Sequence, residues 1–393
     1  MTPRHGLRAR GITLVALGSL PTMAIAALVA GLPLMFQQFA DVPRREWLVP
    51  MILTVPALCV ALFSAPLGWL ADRWGRRPVL LLSLVAFTAC GALPMLFDSL
   101  PAIIASRAVV GIGEAGILAV GNALIGDYFD EAGRRHWLGI QTTLGPFIGS
   151  AYIILGGVLA GQSWKAPFLL YLLGAGVLLA ALAFLPEPER SARTEAEPRI
   201  APTTAFPWST AALIGISTVL AAVVFFLQAV QHGRIFADLG VATPERISLY
   251  VTLASMGTVA GGYVYKSLRP LPVPTLLGSA LACYGIAYAG VALAPNAWVG
   301  LGVDAIGQFG SGLLFPTLIA WALSRYPFEH RGRGMGLWAA CFFLGQFLSP
   351  PVMTAISQAG LTFLQSVGVL GVLCIASAVP LLTMGQRQQR RPR

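Results

Sequence analysis

Long apolar runs are the feature that most constrains what this chain can fold into. Each run has about 20 residues or more, the length that an α-helix needs to cross a bilayer. Twelve such runs lie near residues 11–36, 46–71, 78–97, 100–126, 137–163, 167–185, 207–231, 246–267, 272–294, 297–324, 332–358 and 361–384. The pattern predicts an all-α membrane protein with 12 transmembrane helices, called spans 1 to 12 here.

The composition excludes a soluble enzyme with one membrane anchor. Of the 393 residues, 56% are hydrophobic and only 11% are charged, whereas soluble domains carry about 25% charged residues. The sequence has no glycine-rich nucleotide loop and no cluster of metal-ligating side chains. We therefore expect no enzyme activity, no metal and no cofactor other than a coupling proton. A membrane sensor or scaffold is the non-transport alternative, but it would not need the buried acids described below.

The basic residues predict the orientation in the membrane. The net charge is +10, and cytoplasmic loops of membrane proteins carry an excess of Lys and Arg. If the N-terminus is inside, only five of the 26 basic residues fall in outer segments and one within a span, namely Arg44, Arg45, Lys165, Arg234 and Arg246, and Arg107. This bias predicts that both termini are cytoplasmic. It also favours a membrane topology over a nucleic-acid partner.

The chain divides into two similar halves. Residues 1–185 and 207–393 each hold six spans, and residues 186–206 form a Pro-, Glu- and Arg-rich segment that predicts a cytoplasmic linker. An offset of 197 residues brings like residues together in the two halves: Gly113 and Gly310, Phe129 and Tyr326, Arg134 and Arg331, Gly139 and Gly336. Repeats of this kind place a substrate site between the halves near the middle of the membrane.

A specific motif lies between spans 2 and 3. It reads Gly68-Trp-Leu-Ala-Asp72-Arg73-Trp-Gly75-Arg76-Arg77-Pro78. This resembles the signature loop of the major facilitator superfamily, written G-x-L-a-D-r-x-G-r-[RK]. With 12 spans and a central linker, the resemblance covers the whole chain and implies two six-helix bundles related by a pseudo-two-fold axis, which rock around a central cavity by alternating access.

The same resemblance implies a conformational latch at the cytoplasmic edge. Its residues are Gly68, Asp72, Arg73, Gly75, Arg76, Arg77 and Arg134. In the family the aspartate contacts an arginine and the start of the eleventh helix. The matching partners in this chain are Arg134 and the helix start near Gly332. From its chemistry, Gly68 is expected to allow a neighbouring helix to approach closely.

Three ionisable residues lie deep within spans, where a charge costs about 3 kcal/mol or more. Arg107 and Glu114 share a face of span 4, and Asp304 lies in span 10. The segment from Arg107 to Gly113 resembles the R-x-x-x-G-x-G signature of proton-coupled facilitators, in which the arginine is implicated in coupling. Glu114 is interpreted as a carboxyl group that loads and releases a proton, or alternatively as a static carboxylate bound to a neighbouring helix. Asp304 falls on Arg107 at the 197-residue offset, so it is either a partner of Arg107 or a lone aspartate solvated near the outer end of its span.

Span 5 carries a second family signature. Gly145, Pro146 and Gly149 resemble the G-P-x-x-G-G motif of drug:proton antiporters, and a proline within a helix removes a backbone hydrogen bond and kinks it. Gln141 and Ser150 depart from that motif. The resemblance implies export. Span 4 also resembles organic-anion symporters and spinster-like lipid transporters, although these usually carry a charged residue in span 1 and this chain has none there.

Apolar, aromatic and amide side chains are the candidates for a substrate cavity, with packing as the alternative role. They are Met23, Met35, Phe36, Asn122, Phe225, Phe226, Gln228, Gln231, Gln308, Phe309 and Phe315. Together these features predict a monomeric exporter in a bacterial inner membrane. Its partners would be protons, a small amphipathic or hydrophobic molecule and the lipid bilayer.

Overall fold

A computed structural model describes residues 3–188, 205–268 and 270–390. Within them, 12 helices are long and apolar enough to cross a membrane, which confirms the predicted spans. Most of the predicted linker, from residue 189 to residue 204, lies outside the described residues.

The spans are α-helices, some of which are extended by a 3-10 turn. Spans 1 to 6 are Pro3–Val29, Arg45–Trp74, Arg76–Ala92 followed by Leu93–Leu96, Leu100–Tyr128, Glu131–Gln162, and Leu173–Phe184 preceded by Ala166–Leu172. Spans 7 to 12 are Trp208–Asp238, Pro244–Leu268, Val273–Leu293, Ala297–Arg325, Arg331–Ser357 preceded by Phe328–His330, and Phe363–Arg390. One short helix, Leu32–Gln38, follows span 1. Helices suit the bilayer because they satisfy their backbone polar groups internally.

The chain forms two compact units. The first contains Met1–Leu28 and Leu48–Phe206, and the second contains Val29–Trp47 and Pro207–Arg393. The segment Val29–Trp47 therefore belongs to the second unit, whereas the predicted division places it in the first bundle. Sequence order alone could not reveal this difference, because it depends on contacts between distant residues.

Specific contacts hold that segment in the second unit. The Arg234 Nη1 atom lies 2.6 Å from Glu46 Oε2, and the Arg234 guanidinium lies over the rings of Phe36 and Phe363 at 4.5 and 4.2 Å. The Thr354 hydroxyl donates to the backbone carbonyl of Glu46 over 3.2 Å. An ion pair enclosed by two aromatic faces thus fixes the segment to spans 7, 11 and 12.

Close helix packing in the first unit depends on Gly113. Span 4 crosses span 3 there so closely that a Cβ atom at Gly113 would lie 2.6 Å from the Ser83 carbonyl oxygen and 2.9 Å from the Phe87 nitrogen. Backbone atoms cannot move aside as a flexible side chain can. Only glycine fits this crossing.

The second unit repeats the crossing 197 positions later. A Cβ atom at Gly310 would lie 2.9 Å from the Ala280 carbonyl oxygen and 3.5 Å from the Tyr284 ring. These two contacts are the counterparts of Ser83 and Phe87. The repeat that the sequence predicts is therefore confirmed by equivalent packing between spans 3 and 4 and between spans 9 and 10.

An equivalent arginine contact supports the same repeat. Arg134 Nε donates to the Phe129 carbonyl over 3.0 Å, and Arg331 Nε donates to the Tyr326 carbonyl over 3.4 Å. Each arginine follows a span and binds the residue that ends it. The two units therefore share this detail of the turns after spans 4 and 10.

The surfaces of both units carry exposed apolar side chains. Leu82 and Leu179 are 65% and 66% exposed in the first unit, and Leu213 and Leu220 are 60% and 65% exposed in the second. Such surfaces are unfavourable in water but suit hydrocarbon. They are expected to face lipid.

Gly113→Ala should destabilise the protein, because the new methyl group meets backbone atoms of span 3. Overpacking of this kind costs about 1–3 kcal/mol. Gly126→Ala is the matched control in the same helix, since a Cβ atom there meets nothing within 4 Å. The control should be neutral or slightly stabilising, because alanine favours a helix over glycine by about 1 kcal/mol.

Thermal unfolding of the two variants in detergent, followed by tryptophan fluorescence, measures the difference. Equal unfolding midpoints for both variants would contradict the close crossing at Gly113.

Candidate functional site

Arg107 is held entirely by the first unit. It is fully buried, and its Nη2 atom donates to the carbonyls of Cys90 and Gly91 over 3.0 and 2.8 Å. These carbonyls lie in the last turn of span 3, where helical carbonyls lack a partner in the helix and carry partial negative charge. The guanidinium also lies over the rings of Tyr171 and Phe168, at 4.6 and 5.1 Å. Its Nε and Nη1 atoms are buried, and no described residue forms a hydrogen bond with them.

Glu114 lies two turns further along span 4. Its side chain is 5% exposed, and within the described residues it receives neither a hydrogen bond nor an ion pair. Its helix is pressed against its neighbours by glycines, with Gly111 facing the Pro56 backbone and Gly116 facing the Ser83 side chain. The alternative of a static carboxylate hydrogen-bonded to a neighbouring helix therefore has no support in this part of the chain. A buried carboxyl group without a partner favours its neutral, protonated form.

Asp304 is held by span 7. It is fully buried, and its Oδ1 atom accepts from Gln228 Nε2 over 2.6 Å while its Oδ2 atom lies 2.7 Å from His232 Nε2. Gln228 Nε2 also donates to the Asp304 backbone carbonyl over 3.0 Å. The alternative of a lone aspartate solvated at the end of its span is therefore wrong.

The proposed pairing of Arg107 with Asp304 also loses its basis. That hypothesis assumed that each charge needs the other to be buried. Arg107 instead binds helix carbonyls and aromatic rings, and Asp304 binds an imidazole and an amide. Each charge is compensated within its own unit.

The motif between spans 2 and 3 is a capped helix start. Gly75 adopts φ +108°, a backbone conformation that side chains disfavour. The next two backbone N–H groups, of Arg76 and Arg77, donate to the two carboxylate oxygens of Glu187 over 2.7 Å each. Glu187 thus satisfies the free N–H groups at the N-terminus of span 3, where a negative charge is favourable.

The arginines of the motif connect this loop to the ends of other spans. The Arg76 guanidinium forms an ion pair with Asp127 at the end of span 4. Arg77 Nη2 donates to the Leu182 carbonyl of span 6 over 2.9 Å. Arg73 lies over the Trp69 ring at 5.7 Å. The loop therefore links the ends of spans 3, 4 and 6.

Two expectations about the latch need correction. The Asp72 side chain is 73% exposed, and its ion pair is a 4.0 Å contact with Arg76 rather than with Arg134. Arg134 instead binds the Phe129 carbonyl, as described above. Gly68 does not mark a close helix approach either, because a Cβ atom there would lie at an ordinary 4.0 Å from Ala119. The contact expected between Asp72 and the start of span 11 stays a prediction.

The predicted kink motif lies inside the continuous helix of span 5. Pro146 is within that helix, and Gly149 faces Thr22 of span 1. Gly145 lines a small cavity of about 160 Å³ with Ser19 and Gln141. Its role in export stays a prediction.

An aromatic cluster contains three of the predicted cavity residues. Phe225, Phe226 and Phe315 surround Phe342, with ring centroids 5.6, 4.9 and 5.3 Å away, and Trp338 stacks on Phe342 at 5.4 Å and 15°. Phe315 is 39% exposed, and Trp338 Nε1 is buried and has no hydrogen-bond partner in the described part of the chain. The cluster thus offers flat apolar faces and one free N–H donor.

The remaining cavity candidates divide into several roles. Gln228 and Gln308 belong to the polar group around Asp304, and Asn122 is exposed. Met23 and Met35 have no exposed surface, so their expected place on a cavity wall is wrong in this structure and they are packing residues. Phe36 packs on Arg234, and the Phe309 backbone packs on Gly257 and Gly261 of span 8. The place of these two side chains in a cavity stays a prediction.

Gln231 lines a separate cavity of about 420 Å³ in the second unit. Glu46, Arg234, Met353 and Phe363 also line it. The Gln231 Oε1 atom is buried without a partner. This cavity adjoins the clasp, the ion pair of Arg234 with Glu46 between the Phe36 and Phe363 rings, which holds the segment Val29–Trp47.

Sequence reasoning missed several residues that the structure brings into these sites: His232, Glu187, Trp338, Phe342 and Glu46. Gln228 and His232 lie four residues apart in an apolar span, so they share a helix face. That spacing was the one available signal for His232. The partners of Glu46 and Glu187 lie 188 and 111 residues away, and no local pattern reveals them.

Comparison with known proteins identifies similar chains. The family model described as Major Facilitator Superfamily matches residues 12–350 and 275–393. The class C tetracycline resistance protein of Escherichia coli is 27% identical over 85% of this chain and 86% of its own length. The class G tetracycline resistance protein of Vibrio anguillarum is 27% identical over 90% of this chain and 91% of its own. The crystal structure of a D-xylose-proton symporter matches with a TM-score of 0.71 at 17% identity, over 94% of this chain and 96% of that one.

Glu187→Gln should lower the stability of the first unit, because the N-terminus of span 3 loses its charged cap. Loss of a helix cap costs about 0.5–2 kcal/mol. Glu131→Gln is a matched control, since Glu131 is also an exposed carboxylate near a helix start, and its neighbour within the described residues is Arg135, in a surface pair. The control should cost at most about 0.5 kcal/mol.

Hydrogen exchange of the first turn of span 3, measured by mass spectrometry, locates the effect. Faster exchange there in Glu187→Gln, but not in Glu131→Gln, is expected. Unchanged exchange in both would mean that Glu187 does not cap the helix.

Proposed function

Because this chain belongs to the Major Facilitator Superfamily of membrane transporters, we propose that it is a proton-coupled exporter of small amphipathic or hydrophobic molecules. It would act in a bacterial inner membrane by alternating access, with both termini in the cytoplasm. The observation that carries the proposal is the buried carboxyl group of Glu114, which has no hydrogen-bond or ion-pair partner among the residues that the structure describes.

Glu114 has the properties that a proton carrier requires. Burial favours its protonated form, and entry of water or of a cation favours its ionised form. Arg107 lies seven residues away on the same helix, or about 10 Å along the axis, and has two guanidinium nitrogens without partners. A change of access to this face of span 4 would therefore change the proton affinity of Glu114. An acid inside a membrane span is expected to have a function, because its burial there is costly.

The aromatic cluster of the second unit suits the proposed substrates. Offset and tilted rings bind flat apolar molecules through their faces, and the free Trp338 N–H can bind one acceptor on such a molecule. The tetracycline resistance proteins that resemble this chain over most of its length support export of a drug-like molecule. The match to the antiporter motif of span 5 supports the same direction.

Accumulation in cells tests the function. The protein, expressed in a bacterium that lacks its main efflux pumps, should lower the accumulation of tetracycline or ethidium, and a proton uncoupler should abolish the difference. The same cells expressing Asp72→Asn report whether the exposed carboxylate of the motif contributes. Higher accumulation in expressing cells would contradict export, and a difference that survives the uncoupler would contradict proton coupling.

Glu114→Gln should remove uphill transport while leaving the protein folded, because the amide keeps the shape of the side chain but does not titrate. For one-for-one exchange, each pH unit across the membrane sustains about a tenfold substrate gradient, since both correspond to about 1.4 kcal/mol. In proteoliposomes that gradient should fall to equality in the variant. Glu131→Gln, on the exposed start of span 5, should behave as wild type. An undiminished gradient in Glu114→Gln would show that another group carries the proton.

A further inference from the structure

The second unit contains a buried pair of ionisable side chains, His232 and Asp304, which the proposed role of Glu114 does not explain. His232 is 2% exposed and Asp304 is 0% exposed. Burying an acid and a base within hydrogen-bond distance costs more than an apolar pair of the same shape would. Because stability alone does not favour such a pair within a span, we expect it to have a function.

Amides surround the pair and fix the carboxylate. Gln228 donates to Asp304 Oδ1, which leaves Oδ2 to the imidazole. Gln308 Nε2 lies 3.4 Å from His232 Nε2, and the Thr258 hydroxyl donates to Gln308 Oε1 over 2.6 Å. The Gln228 Oε1 atom has no partner. The carboxylate is thus held in place, while the Gln228 amide oxygen can accept a further hydrogen bond if the side chains rearrange.

The chemistry of the pair allows one proton to be taken up. With Asp304 ionised, His232 Nε2 carries the proton that it donates to Oδ2. Among the described residues Nδ1 makes no hydrogen bond, so it can bind another proton. Uptake at Nδ1 changes the net charge of the pair from −1 to 0, and release restores −1. No electron moves. A low-dielectric site favours the neutral ion pair, and access to water favours release.

Other titratable and charged groups lie around the pair on the elements packed against it. Span 9 contributes Tyr284 and Tyr288, and span 12 contributes Cys374, all of which are buried. Span 7 contributes Arg234, two residues after His232, and its charge is compensated by Glu46. Asp238 lies at the end of the same span. Span 10 adds Gln308, and span 8 adds Thr258, neither of which titrates.

We propose that His232 and Asp304 form a second proton-binding site, in the second unit, which is held by Gln228 and works beside Glu114. The proposal rests on the proposed proton coupling and deepens it. One site in each unit would then bind a proton during a transport cycle.

Titration of the histidines tests the site without any transport. The chain has only four histidines, so the side-chain NMR signals of the histidine-labelled full-length protein in detergent are few, and His232→Gln assigns one of them. The signals are followed from pH 5 to pH 9, and the His232 signal should change with pH as the pair takes up a proton. Its midpoint should shift by about one pH unit or more in Asp304→Asn, because an opposite charge at this distance has an effect of that size. The signal of exposed His136 should keep its midpoint.

Two results would overturn the proposal in this experiment. One is a His232 signal that stays in a single state over the whole range, and the other is a midpoint that does not change in Asp304→Asn. Gln228→Glu and Gln228→Leu provide further tests if Asp304→Asn does not fold, since both variants alter the hydrogen bond to Asp304 Oδ1 and should move the same midpoint.

A transport measurement separates this proposal from the proposed function. In proteoliposomes loaded with tetracycline, the number of protons moved per substrate follows from the pH gradient that balances a known substrate gradient. His232→Gln should move one proton fewer per substrate than wild type, whereas His136→Gln should match wild type. An unchanged proton number in His232→Gln would overturn the second site while leaving proton-coupled export intact. If wild type moves no tetracycline, the titration alone decides.

Discussion

The absence of water from the bilayer core is the constraint on which this structure depends. Every polar group within a span must find its partner in the chain or remain neutral. The helices satisfy their own backbones, and the carbonyls that end span 3 bind the Arg107 guanidinium. Asp304 finds an imidazole and an amide in span 7. Glu114 is the acid in a span for which the described residues supply no such partner, and this exception connects the fold to proton exchange.

The sequence predicts the architecture well because the architecture follows from local composition. Apolar length predicts the 12 spans, and glycine and arginine spacing predicts the internal repeat. The structure shows physical reasons for both. Gly113 and Gly310 occupy equivalent crossings where a side chain would meet the backbone of the neighbouring helix. Because both crossings require glycine, a glycine recurs at equivalent positions of the two halves, and this recurrence can be recognised in the sequence.

The sequence predicts the partners of charged residues poorly, because a partner is a side chain on another helix that lies within contact distance, and local sequence does not reveal that distance. The repeat correctly indicates that Arg107 and Asp304 occupy equivalent positions, but it does not indicate what each one touches. His232 supplies the partner of Asp304 from a position 72 residues away. The motif loop shows the same limit: its resemblance implies a role for Asp72, whereas the closest contacts are made by Glu187 and Asp127.

The clasp around Arg234 has a consequence for how the chain can be divided. The boundary of the sequence repeat and the boundary of the contact units do not coincide, because Val29–Trp47 belongs to the second unit. The backbone therefore passes from one unit to the other after Leu28, after Trp47 and after Phe206. A protein expressed as two fragments, cut within residues 189–204, would give a second fragment without Glu46, in which Arg234 keeps its aromatic neighbour Phe363 but loses its counter-ion. Reassembly of such fragments would therefore have to restore the contacts of Arg234 with Glu46 and Phe36, which lie on the first fragment.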